Sequence, residues 1–434
     1  MQRKWVYYIL IIAMFLYTGA AQAQISDAIG TMTPYSMFGL GEFVRQGTTF
    51  NRTMGGIGVS LRDHRYINYL NPAAISAHDT LAFMLDFGAE AQNLYHSSNQ
   101  TRSAFNSMNM NHIVFAFPLY KKSAAVVGFS PYSHVGYRFE EKELRPELIS
   151  ELGDVAYQHY GEGSMNQLFL GGALSISKNF SVGVEGFYYF GTISRSNNVQ
   201  FNYAEAYSTL NTSTATVMSA FAGKVGLQYE ENLKNRFFIN AGATVLLPAT
   251  LKGDRTQIAT SVVDTIHHSV QLGAQIAMPA EYAAGLSLSR KYFEEANLNR
   301  WMVGFDFSYQ DWSHTDFTST PGINFAPSVK TAYRLGFELT PDLFDVRYVF
   351  RRWTYRGGVY YENSYLKLNE NQVNSKGITF GVSVPFTRLS NMLNFGIDVG
   401  QRGTLQDQLI RERYVMFQLS FSLYDIWFRK IKYE

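Results

Sequence analysis

The chain contains no cysteine, and beyond its first two dozen residues it has no run of 18 consecutive apolar residues. The first absence excludes disulfide staples, thiolate metal sites and a lipid-modified cysteine. The second excludes membrane-spanning helices. No Gly-x-Ser-x-Gly is present either, and with no thiol available there is no candidate nucleophile paired with a base. His267-His268 is the one adjacent histidine pair. Neighbours in an extended strand point to opposite sides, which suits no shared metal ion. Gly55-Gly56-Ile57-Gly58 lacks the Lys-Ser/Thr of a phosphate loop. We therefore expect no catalytic residue, no metal and no cofactor. Charge of one sign is missing as well. With Arg3 and Lys4 set aside, 35 basic residues face 35 acidic ones, too balanced for a nucleic-acid partner.

Arg3 and Lys4 precede an apolar stretch, Trp5 to Leu16, and Ala21-Gln22-Ala23 gives a small-x-small cleavage site. That is the pattern of a secretory signal peptide over residues 1–23, with the mature chain starting at Gln24. The apolar stretch falls short of the roughly twenty residues an anchoring helix needs.

What the chain does have is aromatic residues, 29 Tyr and 33 Phe, in segments of alternating polarity. From Thr80 to Leu423 about fourteen such segments follow one another, joined by connections that are alternately long and short. A tilted strand of about ten residues with one apolar face crosses the hydrocarbon of a bilayer. Closing such strands into a barrel satisfies every backbone group without water. The expected fold is all-β, a transmembrane antiparallel barrel of about 14 strands in the outer membrane of a Gram-negative cell. The third strand is placed at Ser123–Phe139, the fourth at Gln167–Ser177, the ninth at Asn299–Trp312 and the last at Arg413–Leu423. Leu94–Asn111, Glu140–Asn166, Ser196–Ala215 and Pro248–Met278 are read as long loops. Ile258–Ala277 alternates well enough to be strand, but a strand there would reverse the loop order, so it is read as an extracellular excursion. Glu140–Asp154 is read as containing a short amphipathic helix at the barrel mouth.

Period two assigns faces. Trp301, Val303, Phe305, Phe307 and Tyr309 point to lipid, while Met302, Gly304, Asp306, Ser308 and Gln310 point inward. The inward set also carries Asp86, Glu185, Lys224, Arg334, Glu338, Arg356, Glu362, Asp398 and Arg402. These can pair with one another or with a plug. Residues 24–79 do not alternate and are rich in glycine, notably Gly55 and Gly56. They suit a hatch inside the lumen, with barrel over 80–423 and a periplasmic extension over 424–434. Asn71-Pro72-Ala73 reads as a tight turn bracing the hatch against the first strands.

Several segments resemble the FadL/TodX family of outer-membrane transporters. The resemblance is carried by Pro279-Ala280-Glu281-Tyr282 with Gly285-Leu286-Ser287, by Asp306-Phe307-Ser308-Tyr309-Gln310-Asp311-Trp312-Ser313, by Asn71-Pro72-Ala73, and by Val126-Val127-Gly128-Phe129-Ser130-Pro131-Tyr132. It implies a fourteen-stranded barrel with a hatch that passes hydrophobic compounds, fatty-acid-like or aromatic, toward the membrane. It also implies a kinked third strand that opens a lateral window. Pro131 fits that expectation, because proline cannot donate to a ladder and a closed barrel has no edge to hold it. Gly128 and Gly136 would let the strand bend, and Phe129, Pro131 and Tyr132 would line the gap. The leading functional expectation is passive transport of hydrophobic small molecules or lipids with lateral exit. The second is a structural or accessory subunit of a larger outer-membrane machine for secretion or barrel assembly. The C-terminal extension, Asp425 to Glu434 with its basic and aromatic residues, motivates that second expectation as a contact for outer-membrane or periplasmic partners.

Overall fold

The computed structural model describes residues 30–426 apart from residues 81, 99–100, 202–208, 234–235, 262–263, 292–298, 318–324 and 387–390. The expected signal peptide and the tail from Trp427 onward lie outside the described residues. The strands, in chain order, are β1 (Glu42–Phe43), β2 (Ala82–Ser97), β3 (Arg102–Tyr120), β4 (Ser123–Lys142), β5 (Val155–Ser175), β6 (Phe180–Phe201), β7 (Leu210–Leu233), β8 (Phe237–Leu246) and β9 (Ala249–Ser261). They continue with β10 (Thr265–Met278), β11 (Glu281–Arg290), β12 (Arg300–Asp311), β13 (Phe325–Pro327), β14 (Val329–Thr340), β15 (Thr354–Leu368), β16 (Asn371–Pro385), β17 (Met392–Arg402) and β18 (Arg411–Ile426).

Fourteen of these, β2–β8, β11, β12 and β14–β18, form a closed antiparallel barrel. β18 pairs with β2 from Arg411↔Ser97 to Ile426↔Ala82, so no edge is left at the seam. The last strand thus runs to Ile426 rather than stopping at Leu423. Alternation sets the two faces. In β12, Met302, Asp306, Ser308 and Gln310 are buried while Val303, Phe305 and Tyr309 are exposed on the outer surface. Val184, Phe221, Leu286, Phe337, Phe380 and Phe421 continue that outer apolar band around the barrel.

The structure corrects the expected long loops. β3, β5, β6 and β7 run for 19, 21, 22 and 24 residues, so most of Leu94–Asn111, Glu140–Asn166 and Ser196–Ala215 is paired strand. On the other side of the barrel β12 and β14 have only 12 residues each. Above the hydrocarbon both faces of a strand meet water, so alternation fades while the ladder continues. The excursion over 248–278 follows the same rule. β9 extends β8 along β7, from Ser219↔Lys252 to Leu210↔Ser261, and β10 folds back on β9 before leading into β11. Neither adds a strand at membrane level, and the count of fourteen holds. A helix spans Pro146–Leu152 in the loop after β4, where Leu144 and Ile149 stay exposed.

The segment from Gly30 to Asp79 is almost wholly buried. It contains the helical turns Pro34–Met37, Thr49–Arg52 and Pro72–Ala77. Phe50, Met54, Ile57, Leu61 and Tyr66 pack with Met302 and Met392 of the wall. Tyr35, Met37, Phe38, Leu40, Tyr69 and Ile75 join a larger cluster with Phe169, Phe187, Tyr189 and Tyr365.

Candidate functional site

The N-terminal segment meets the barrel wall through charges of both signs. Asp306 Oδ2 accepts hydrogen bonds from the backbone N–H groups of Gly58 and Val59 at 2.6 and 2.8 Å. The glycine-rich loop thus embraces a wall carboxylate, as successive N–H groups embrace a bound anion. Arg45 reaches Asp398 at 2.6 Å and lies over the Tyr360 ring at 3.6 Å. Arg52 pairs with Glu90 at 2.5 Å and Arg65 with Glu338 at 3.0 Å, all buried. Asp63 pairs with Arg300, and Glu42 with Arg402. Arg195 donates to the carbonyls of Met37 and Gly39 at 3.0 and 2.7 Å. Every inward charge named from the alternation is buried or half-buried, and nine of the ten are bonded or paired: Asp86, Lys224, Asp306, Arg334, Glu338, Arg356, Glu362, Asp398 and Arg402.

Close approach of backbone to wall depends on glycine in the strands. A Cβ on Gly242 would lie 2.0 Å from the Val59 carbonyl oxygen, and one on Gly358 would lie 2.2 Å from the Gly55 nitrogen. Gly55 N–H donates to Thr379 Oγ1 at 2.8 Å, and Gly56 lies against Arg45 and Arg334. Asn71 caps the helical turn that Pro72 opens, accepting from Ala73 N–H at 3.0 Å. Its Nδ2 donates to the Val59 carbonyl at 2.7 Å and to the Leu227 carbonyl of β7 at 3.1 Å. The Asn-Pro turn bears on β6 and β7, at Gly183 and Gly226, and the helical turn it opens also packs against β5 and β4.

At one place the wall opens. β3 and β4 pair from Tyr120↔Ser123 up to Ile113↔Phe129 and then separate. Above that point β3 stays with β2 and β4 stays with β5. The vacated side of β4 is taken by the N-terminal segment. Glu42 and Phe43 of β1 stand opposite His134 and Ser133. Thr33 N–H donates to the Gly136 carbonyl at 2.8 Å and Val44 N–H to the Tyr132 carbonyl at 2.9 Å. Gln46 Nε2 donates to the Pro131 carbonyl at 3.0 Å. On the opposite side Asn109 of β3 donates to the Gly30 carbonyl at 2.5 Å.

Pro131 stands where β4 exchanges one neighbour for another. A β-bulge between Pro131 and Ser133 leaves Tyr132 unpaired against β5. Phe129 shares the outer face with Phe190, 6.4 Å away, whereas Tyr132 faces the lumen, 5.2 Å from Phe43 and 4.7 Å from Tyr189. The three residues expected to line one gap thus sit outside, within and inside the wall. Gly128, expected to free the strand for bending, is in regular ladder with Val114, where a Cβ would meet the Phe169 ring at 2.4 Å.

A lumenal cavity of about 130 Å³ lies beside this junction. Phe43, Tyr69, Tyr132, Phe187, Tyr189 and Leu246 give it an apolar side, and Arg45, Lys224, Asp306, Lys330, Arg334 and Glu362 a charged one. Sequence reasoning missed β1, because two residues carry no alternation to read. It also missed the wall glycines, which taken alone read as weak points in strands. His267 and His268 fall on β10 as neighbours in extended chain.

Solved structures share this architecture. The toluene transporter TodX of Pseudomonas putida superposes with a TM-score of 0.55 at 14% identity, covering 89% of this chain and 100% of that one. A FadL homologue of Pseudomonas aeruginosa gives a TM-score of 0.55 at 12% identity, covering 88% and 99%. The toluene transporter TbuX of Ralstonia pickettii gives 0.54 at 13% identity, covering 87% and 98%. At these identities the likeness establishes the fold, that of outer-membrane hydrocarbon transporters. No curated protein matches by sequence. The model of one family, BamG, matches residues 1–434. An outer-membrane barrel with a FadL/TodX-like architecture, the chain belongs to the BamG family.

Proposed function

We propose that this barrel works with its lumen sealed, as a non-enzymatic structural or accessory subunit of a larger outer-membrane machine for secretion or barrel assembly. In this reading residues 24–79 are a fixed hatch, with Gly55, Gly56, Asn71 and Pro72 as its seats on the wall. The observation that carries it is the buried pairing between hatch and wall. Arg45–Asp398, Arg52–Glu90 and Arg65–Glu338 join the two at 2.5–3.0 Å. Removing one partner of a buried pair costs about 3–5 kcal/mol, so parting three at once is far beyond thermal reach. Purification in mild detergent tests the proposal. A subunit elutes with stoichiometric partner chains, and a lone barrel carrying bound lipid speaks against it.

The second reading is passive transport of hydrophobic compounds with lateral exit past Phe129, Pro131 and Tyr132. It is favoured by the end of the β3–β4 ladder at Ile113↔Phe129 and by the aromatic side of the cavity beside it. The toluene transporters TodX and TbuX share the fold. Proteoliposomes separate the two readings. The sealed barrel takes up a hydrophobic tracer no faster than protein-free vesicles, and Pro131→Val changes nothing, because β1 already fills the slot where β3 would pair. Saturable uptake that falls several-fold in Pro131→Val supports transport instead.

A further inference from the structure

β10 is a sheet edge. One side pairs with β9 from Thr265↔Thr260 to Met278↔Ala249, and near its foot Thr315 Oγ1 donates to the Ala277 carbonyl at 3.1 Å. Above that contact no described residue pairs with its other side. Alternate residues of an antiparallel strand direct both backbone groups to the same side, so about half of this 14-residue strand presents unpaired N–H and C=O groups outward. Proteins ordinarily guard such an edge with Lys, Pro, an inward-pointing charge or a very short strand. β10 reads Thr-Ile-His-His-Ser-Val-Gln-Leu-Gly-Ala-Gln-Ile-Ala-Met, without a carboxylate, Lys, Arg or Pro. The charges Lys252, Asp254 and Arg255 sit instead on β9, which is covered on both sides by β7 and β10. Ile266, Val270 and Leu272 are 64%, 49% and 75% exposed. Its guard-like features are two bulges, one at Ile266 near the tip and one at Leu272–Gly273, where the Gly273 N–H donates to Asp254 Oδ1 at 3.2 Å. Below it an open groove of about 890 Å³ begins, with Phe221, Pro248 and Met278 among its lining.

We infer that β10 is a β-augmentation site, covered in the working protein by an extended, uncharged segment of a partner chain outside the membrane. The inference rests on the subunit reading and names the chemistry of one contact within it: main-chain hydrogen bonds supply affinity, and apolar side chains beside Val270 and Leu272 set the register. A second copy of this chain does not fit. Two barrels in one membrane share an orientation and are related by an axis along its normal. Strands tilted by roughly 40° then cross instead of aligning, and antiparallel pairing is excluded.

Hydrogen exchange of the assembly extracted in mild detergent, compared with the isolated barrel, tests this. We expect the outward amides of Thr265–Ala277 to exchange at least ten-fold more slowly in the assembly, with β9 unchanged. The double substitution Val270→Lys and Leu272→Lys guards the edge with charge. It should remove that protection while the folded barrel keeps its heat-modifiable migration in gels. An assembly that retains its partners while β10 exchanges as fast as in the isolated barrel overturns the inference and leaves the subunit reading standing. Isolation of a lone barrel overturns both. Concentration-dependent protection of β10 in the isolated chain assigns the edge to a second copy and overturns the inference as well.

Discussion

Asp306 lies on the inner wall at the level of the hydrocarbon, buried to 1% exposure. A carboxylate there is tolerated only with hydrogen-bond donors to meet it, and Gly58 and Val59 bring theirs from the N-terminal segment. Charge-assisted bonds contribute about 1.5–3 kcal/mol each. Asp306→Ala should therefore loosen the segment without preventing barrel closure, and trypsin should then cut at Arg52, Arg62 or Arg65 where the parent resists. Gly358→Val is expected to give the same cleavage pattern for a steric reason, since any Cβ there strikes Gly55. The two residues differ in how legible they were. Asp306 stood out as a charge on the inward face of a strand, while Gly358 gains its meaning only from a segment about three hundred residues away in sequence.

Among the elements, the strands at membrane level were readable because lipid on one side and protein on the other impose period two. β12, Arg300–Asp311, falls where alternation placed the ninth strand, at Asn299–Trp312. β3 and β5 overran their expected starts because residues such as Asn106–Asn111 and Val155–Asn166 have no lipid to face. The exchange of neighbours at Pro131 was half legible. Proline announced a break in the ladder, but nothing local announced that β1 would fill it. The long turn from Pro341 to Trp353 is a folded element in its own right. The Asp345 carboxylate accepts from the N–H groups of Arg347 and Tyr348 at 2.7 and 2.8 Å, and Tyr355 Oη donates to the Phe350 carbonyl at 2.9 Å. Tyr355 is on the outer face, between inward Thr354 and Arg356, so the turn leans toward lipid with Phe344 and Phe350 exposed. Tyr355→Phe should cost about 0.5–1.5 kcal/mol locally and speed amide exchange in the turn a few-fold. Backbone donors, Tyr348 first, hold the Asp345 carboxyl below its ordinary range. Its contribution is thus complete above the unfolded value of about 3.9 and is lost only as pH falls through the lower folded value. Intrinsic-rate-corrected exchange in this turn should be flat from pH 8 down to about 5. A loss of protection between pH 6 and about 5 would contradict that assignment.

At the scale of the whole molecule, a filled lumen has an electrical signature. The intact protein should give no steady conductance in a planar bilayer. Deleting residues 24–79 removes the arginines that this segment sets against Glu90, Glu338 and Asp398 and leaves an ion-lined bore. If that variant closes, it should conduct steadily, and a silent closed variant would mean the wall has collapsed inward. The wall also rises unevenly, tall from β3 to β7 and along β9 and β10 and low at β12 and β14, so the outer surface of the protein is a screen along one side rather than a rim.

The seating of the N-terminal segment also dictates an order of events. It is made before every strand of the barrel, yet Thr33 donates to Glu412, 379 residues later, and Glu42 waits for Arg402. Between those contacts it must be gripped by β4, β7, β12 and β16. Gripping glycines and buried ion pairs leave no route by which it could be threaded into a finished cylinder, so the β18–β2 seam has to be sewn around it. Closure is then a casting step, with the insert as its own mould. A barrel refolded without residues 24–79 should gain nothing from the same peptide supplied afterwards, whereas peptide present before the seam closes should be trapped for good.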